Sequence, residues 1–319
     1  MGFSLEQDGS AASEVRRIVG AQLDAALRDL ARFGDQDQGG EELIHDARKR
    51  MKKVRAVLRL VRGAVAAEDF EAENGRLRDA GRRLAPLRDA QALAQLVDEL
   101  QTRAGGTITA RVFAGLREGL GERERAAREQ LSDGRVLEEV STALQEGRGR
   151  VSDWALDRPG FALFADGLRR EYRSGRRRMR RAHQALTDPG TAPPQRAAAQ
   201  HDWRKRSKGH WYHVRLLAPS WPAVLDARVG ELDRLADLLG ADYDLAVLDE
   251  LADELLTEPC DAAALRGILD QRQRQLRAEA HLLGRRLYAG KPGGEVRMLR
   301  AAYGAWASAT PELRPGPPQ

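Results

Sequence analysis

The chain has 319 residues, of which 32% are charged, 42% hydrophobic and only 5% aromatic, with a formal net charge of +5. That length can bury one large or two medium cores, and a composition rich in Ala, Leu, Arg and Glu disfavours a sheet and favours helices. A single cysteine, Cys260, excludes an intramolecular disulfide, and no apolar run is long enough for a membrane-spanning helix.

In chain order, residues 1–11 are polar, lack the apolar core of a signal peptide, and are expected to be disordered or loosely attached. With the lone cysteine they point to a reducing cytoplasm. A first amphipathic helix is expected over 12–33, followed by a Gly- and Asp-rich loop at 34–40. A second helix is expected over 41–67, and a third runs to Ala85, where Pro86 stops it. Helical pattern returns over 88–102, breaks at Gly105-Gly106, and resumes over 107–131 with a short segment beyond. The second half restates this order. A helix is expected over 160–186, a turn over 188–194, then a helix over 195–217 bounded by Pro219 and Pro222. Next come a helix to Leu239, a turn at Gly240, and helices over 242–256, 261–288 and 293–307. A Pro-rich tail covers 309–319.

The most informative feature is a basic motif that occurs twice. His45-Asp46-Ala47-Arg48-Lys49-Arg50-Met51-Lys52 is matched 156 residues later by His201-Asp202-Trp203-Arg204-Lys205-Arg206-Ser207-Lys208. Extended to Val61 and Leu217, the two share 8 of 17 positions. A second block agrees at almost the same spacing: Leu84 to Leu93 aligns with Leu239 to Leu248, bringing Asp89 onto Asp244. Ordered self-similarity of this kind indicates a duplicated unit. Asp89 and Asp244 read most simply as residues that cap or precede the next helix.

On a helix, the first motif carries two stripes. Ala47, Met51, Val54, Leu58, Val61 and Val65 form an apolar face. His45, Arg48, Lys52, Arg55, Arg59 and Arg62 follow the same period, offset by one residue, or roughly 100°. The cations therefore flank the core face, where a merely solubilising face sits opposite it. His201, Arg204, Lys208, Trp211 and Arg215 occupy the equivalent stripe of the second copy. The chain has six lysines, and five of them (Lys49, Lys52, Lys53, Lys205 and Lys208) fall in these two helices. Compact, mobile ammonium groups thus stand beside planar guanidinium forks. A third basic segment, Arg169 to Arg181, holds eight arginines against Glu171 alone. Arg169, Arg173, Arg176 and Arg180 form one stripe there, and so dense a run of like charge becomes tolerable when anions neutralise it. Packing against the second motif helix is expected to bring their stripes into one groove.

A polyanion is the natural partner for such clusters. Nucleic acid is the competing polyanion, although few aromatics are available to stack on single strands. A metal-dependent phosphohydrolase needs converging His and carboxylate ligands, and His183, His210, His213 and His281 show no such spacing. His210 and His213 read as packing residues.

The paired His-Asp-x-Arg-Lys-Arg-x-Lys blocks resemble the signature of the CHAD family, the conserved histidine α-helical domain. Similar to that family too are the segments 168–177, 84–89, 239–244 and 284–289. The resemblance spans 12–308 and implies an all-α fold. It implies two similar antiparallel four-helix bundles, 12–150 and 158–308, related by a pseudo-twofold axis around a basic central groove or pore. It further implies non-catalytic binding of inorganic polyphosphate by a stand-alone module, with association to polyphosphate granules, no cofactor and no membrane partner. The residues it points to are His45, Arg48, Lys49, Lys52, Arg55, Arg59 and Arg88 from the first half. From the second come Arg173, Arg176, Arg177, Arg180, His201, Arg204, Lys205, Lys208 and Arg215. The two histidines either contact phosphate when charged or orient their neighbours as neutral rings. The chain departs from a symmetric pattern where Trp211 replaces the counterpart of Arg55 and Tyr243 that of Arg88.

Overall fold

The computed structural model describes residues 2–34, 40–104 and 110–309. Among them the fold is all-α. Eleven helices follow in order: α1 Ala11–Gly34, α2 Glu41–Val61, α3 Ala67–Arg83, α4 Ala85–Ala104, α5 Ala110–Ser132 and α6 Arg135–Arg150. Then come α7 Ala162–Thr187, α8 Pro193–Leu217, α9 Pro222–Leu255, α10 Pro259–Leu287 and α11 Pro292–Ala307. Prolines open α8 through α11, where the missing N–H is one the helix start leaves unpaired anyway. None of these helices is long and apolar enough to cross a membrane. The residues expected to form the loop at 35–39, the break at Gly105-Gly106 and the tail from 310 lie outside the described residues.

Two expected boundaries move. The second helix stops at Val61, where a 3₁₀ turn over Arg62–Ala64 redirects the chain. The turn expected at Gly240 does not form, and α9 runs unbroken through it. The reason is steric. A β-carbon on Gly240 would lie 3.3 Å from Arg204 Nε, so the glycine makes room for a guanidinium instead of bending the chain. The first half breaks at the matching place, between α3 and α4 at Leu84.

The stretch before α1 is not loose over the residues described. Phe3 and Leu5 are buried, and the Phe3 ring meets Tyr212 edge-on at 5.7 Å. The Leu5 N–H donates to the Leu216 carbonyl at 3.1 Å. Burying two such side chains stabilises the strap by about 1.5–3 kcal/mol each.

The core does not divide into one bundle per half. A large apolar cluster draws on α1, α2, α3, α6, α7, α8 and α11, the first turn of α4, the end of α5, the first part of α9 and the end of α10. A smaller cluster joins α4 and α5 to the rest of α9 and α10. The long helices α9 and α10 pass through both, and they supply the apolar surface that α4 and α5 need to cover.

The motif helices meet at the centre. Fully buried His213 of α8 donates from Nε2 to the Ala56 carbonyl of α2 at 2.8 Å. Helix α7 lies against α2 at Gly167, where a β-carbon would come within 1.9 Å of the Leu60 carbonyl oxygen. These contacts explain why α2 buries more than one stripe: Ala56, Val57 and Leu60 are covered as well as Ala47, Met51, Val54 and Leu58.

Candidate functional site

Helices α4, α8 and α9 border a cleft of about 260 Å³ whose walls include Arg88, Glu99, Arg204, Lys208, Asp237 and Asp244. Arg48 of α2 stands beside it. Its Nη1 donates to the Ala85 carbonyl at 3.0 Å and lies 3.2 Å from Asp89. Lys208 Nζ lies 3.0 Å from Asp233 and 3.8 Å above the centre of the Trp211 ring. Arg204 stands 5.9 Å from the Tyr243 ring.

Lys52 is the centre of this group. It is exposed, and three cations, Arg48, Arg204 and Lys208, stand near it. Withdrawal from bulk water, then Arg48, Arg204 and Lys208, push its ammonium down to about 8, against the opposing pull of Asp89. Among the described residues no carboxylate lies within ion-pair distance of it. An anion entering the cleft therefore finds a lysine with no fixed counterion.

The cleft is not purely cationic. Asp89, Asp233, Asp237 and Asp244 all face the basic residues. Burial raises Asp237, with Asp233 adding to the effect. Burial also raises Asp244, partly offset by Arg204. Asp89 and Asp233 act as counterions to Arg48 and Lys208. Phosphate oxygens offer the same cations charge-assisted, bidentate contacts.

Equivalent positions in the two halves make equivalent contacts. His45 Nδ1 accepts a hydrogen bond from Arg88 Nε at 2.9 Å, and His201 stacks on Tyr243 at 4.1 Å. Both histidines are pushed toward the neutral form, chiefly by burial. His45 is lowered with help from Arg88, and His201 falls to about 4 with help from Lys205 and Arg204. Each ring makes one close contact with its neighbour, a hydrogen bond for His45 and a stack for His201.

The CHAD domain family profile matches residues 21–253, from within α1 to the end of α9. The chain belongs to the CHAD domain family. The described CHAD fold is similar to PptA from Streptomyces chartreusis, with a TM-score of 0.58 and 18% identity over 88% of this chain and 100% of that one. It is also similar to the CHAD domain from the plant Ricinus communis, with a TM-score of 0.51 and 18% identity over 95% and 94% of the two chains. No curated protein matches.

Three of the sequence-predicted residues of this CHAD domain line the cleft, Arg88, Arg204 and Lys208, and Lys52 and Arg48 stand beside them. His45 and His201 flank them. The others lie elsewhere. Lys49 and Lys205 pair along their own helices with Asp46 and Asp202. Arg55 turns to α3, where its Nε donates to Asn74 at 3.1 Å, and burial with Arg59, Arg78 and Arg82 lowers it to about 10. Arg59 is half-buried beside Glu171 and Arg206, and the withdrawal of its guanidinium from water lowers its affinity for the proton. Arg215 lies 5.2 Å from the Trp211 ring, near Lys53.

Helix α7 packs on α8 as expected, through Glu171 to Arg206 and Arg178 to Asp202. Its other arginines do not share the groove. At 100° per residue, Arg173, Arg177 and Arg180 lie on the side of α7 away from Glu171 and Arg178, and all three are exposed.

Asp89 and Asp244 neither cap nor precede a helix, contrary to the expectation from sequence. Asp89 lies inside α4 and Asp244 in the middle of α9, both facing basic side chains. Asp233 and Asp237 were missed altogether. Their signal was present as acidic residues four apart, one and two helical turns before Gly240.

Proposed function

We propose that this CHAD domain binds inorganic polyphosphate in the cleft between α4, α8 and α9, without turning it over. The observation that carries the reading is the convergence of Arg48, Lys52, Arg88, Arg204 and Lys208, with Lys52 unpaired among cations. A chain of phosphates supplies closely spaced negative charge that can exchange for Asp89 and Asp233 at their cations. Binding releases condensed counterions, so affinity falls steeply with salt. The family resemblance extends this to a cytoplasmic protein that gathers on polyphosphate granules.

The test is binding of long-chain polyphosphate across a salt series, with short oligophosphate and duplex DNA as competitors. Polyphosphate retained in excess DNA supports a shaped site. Equal displacement by both polymers, vanishing together with salt, refutes it in favour of a generic cationic surface. Phosphate release with added divalent metal would contradict the non-catalytic role.

A further inference from the structure

Seven arginines of α7 (Arg169, Arg170, Arg173, Arg176, Arg177, Arg180 and Arg181) have no carboxylate within ion-pair distance among the described residues. Arg228, Arg266 and Arg277 of α9 and α10 are each paired with Asp or Glu. So many like charges at helical spacing destabilise a bare helix, and anions relieve that repulsion.

The row begins at a second cleft. Between the end of α7 and the start of α8 lies a space of about 460 Å³, walled by Arg178, Arg181, His201, Asp202 and Lys205. Asp202 holds two of these cations in place, Arg178 at 2.7 Å and Lys205 at 2.8 Å. His201 also belongs to the edge of the central cleft, through its stack on Tyr243. Its buried Nδ1 has no partner. Arg204, in the central cleft, and Lys205, in the outer one, are consecutive residues of α8. From Arg181 the row steps back to Arg177 and Arg173, about 6 Å of axial rise per four-residue step.

We infer that the α7–α8 cleft and the arginine row beyond it are an outer track, along which a long polyphosphate chain seated in the central cleft continues past His201. This rests on the polyphosphate reading of the central cleft and adds chain-length discrimination to it. Short chains fill the central cleft alone, and long chains gain the α7 contacts. Arg177 and Arg181 do not line the central cleft, so a short chain seated there does not depend on them.

The experiment compares the full chain with Arg177→Ala/Arg181→Ala. Each is titrated with tripolyphosphate and with long-chain polyphosphate over a salt series, and with duplex DNA. The expected result is unchanged tripolyphosphate affinity, at least a tenfold loss for the long chain, and a salt slope smaller by about two. Unchanged long-chain binding, or equal weakening of both chains, overturns the outer track. Loss confined to DNA also overturns it and assigns the row to nucleic acid. If the unmodified protein binds neither phosphate chain, the functional reading itself fails, and the track with it.

Discussion

Arg48 and Asp89 meet at 3.2 Å across the space between α2 and α4, the guanidinium almost covered and the carboxylate open to solvent. Asp89 thus holds the place of an incoming anion at one face of a fixed arginine. Asp89→Asn removes that competitor while keeping the side chain's shape. Polyphosphate affinity is expected to rise severalfold by titration calorimetry. Weaker binding instead would mean that Asp89 is needed to aim Arg48. Arg48→Ala acts the other way, because it also frees the Ala85 carbonyl bond to α4.

Lys52 and Lys208 occupy equivalent positions of the two motif helices and act on each other in one cleft. Charged hydrogen bonds contribute about 1.5–3 kcal/mol each. Lys52→Glu/Lys208→Glu is therefore expected to lose about 100-fold or more in polyphosphate affinity, read by fluorescence anisotropy. Affinity unchanged in that double variant would sink the cleft as the binding site.

Two sets of groups give the site a common pH response. Lys52 gains its proton as pH falls through about 8. Asp237 and Asp244, both raised by burial, lose their negative charge at higher pH than ordinary aspartates. Each change makes the cleft more positive. Affinity is expected to climb as pH falls from 9 through about 8, where Lys52 gains its charge, and Lys52→Met should flatten that step. A pH-independent dissociation constant would contradict this assignment.

His213 links acid stability to the crossing of the motif helices. Burial pushes its imidazole down to about 3, against the Ala56 hydrogen bond, which favours the proton. The folded protein therefore binds fewer protons at His213 than the unfolded chain does. The stability tied to this neutral ring is complete above about 6.5 and is lost as pH falls from there toward 3. Urea midpoints measured at pH 7.5 and pH 5 should drop more in the natural protein than in His213→Asn.

At Gly167 the approach of α7 to α2 leaves no room for a β-carbon, since the obstacle is the backbone carbonyl of Leu60. Gly167→Ala is expected to cost about 3 kcal/mol or more, because a backbone oxygen cannot rotate away. Chemical denaturation measures it. The same substitution at Gly230, where nothing lies within 4 Å, should be neutral or stabilising.

The apolar stripe of α2 was legible residue by residue, because helical period alone decides which side chains share a face. Ala47, Met51, Val54 and Leu58 are all buried. The paired motifs also led to Arg48, Lys52, Arg204 and Lys208, since a repeat places equivalent side chains at equivalent points. Arg55 and Arg59 belonged to the same stripe and still left the cleft, one to α3 and one to Glu171. A stripe gives direction around its own axis but not which neighbour waits there.

By itself, then, the order of residues determined the helical class, most helix limits, the duplication of the basic motif and the family. Those depend on local period, turn chemistry and composition, which act over a few residues. Tertiary structure alone decided that Gly240 makes space for Arg204, that Asp89 and Asp244 face cations instead of capping helices, and that the α7 arginines stand outside the central cleft. These outcomes arise from contacts between side chains far apart in the chain, whose distances no local pattern contains.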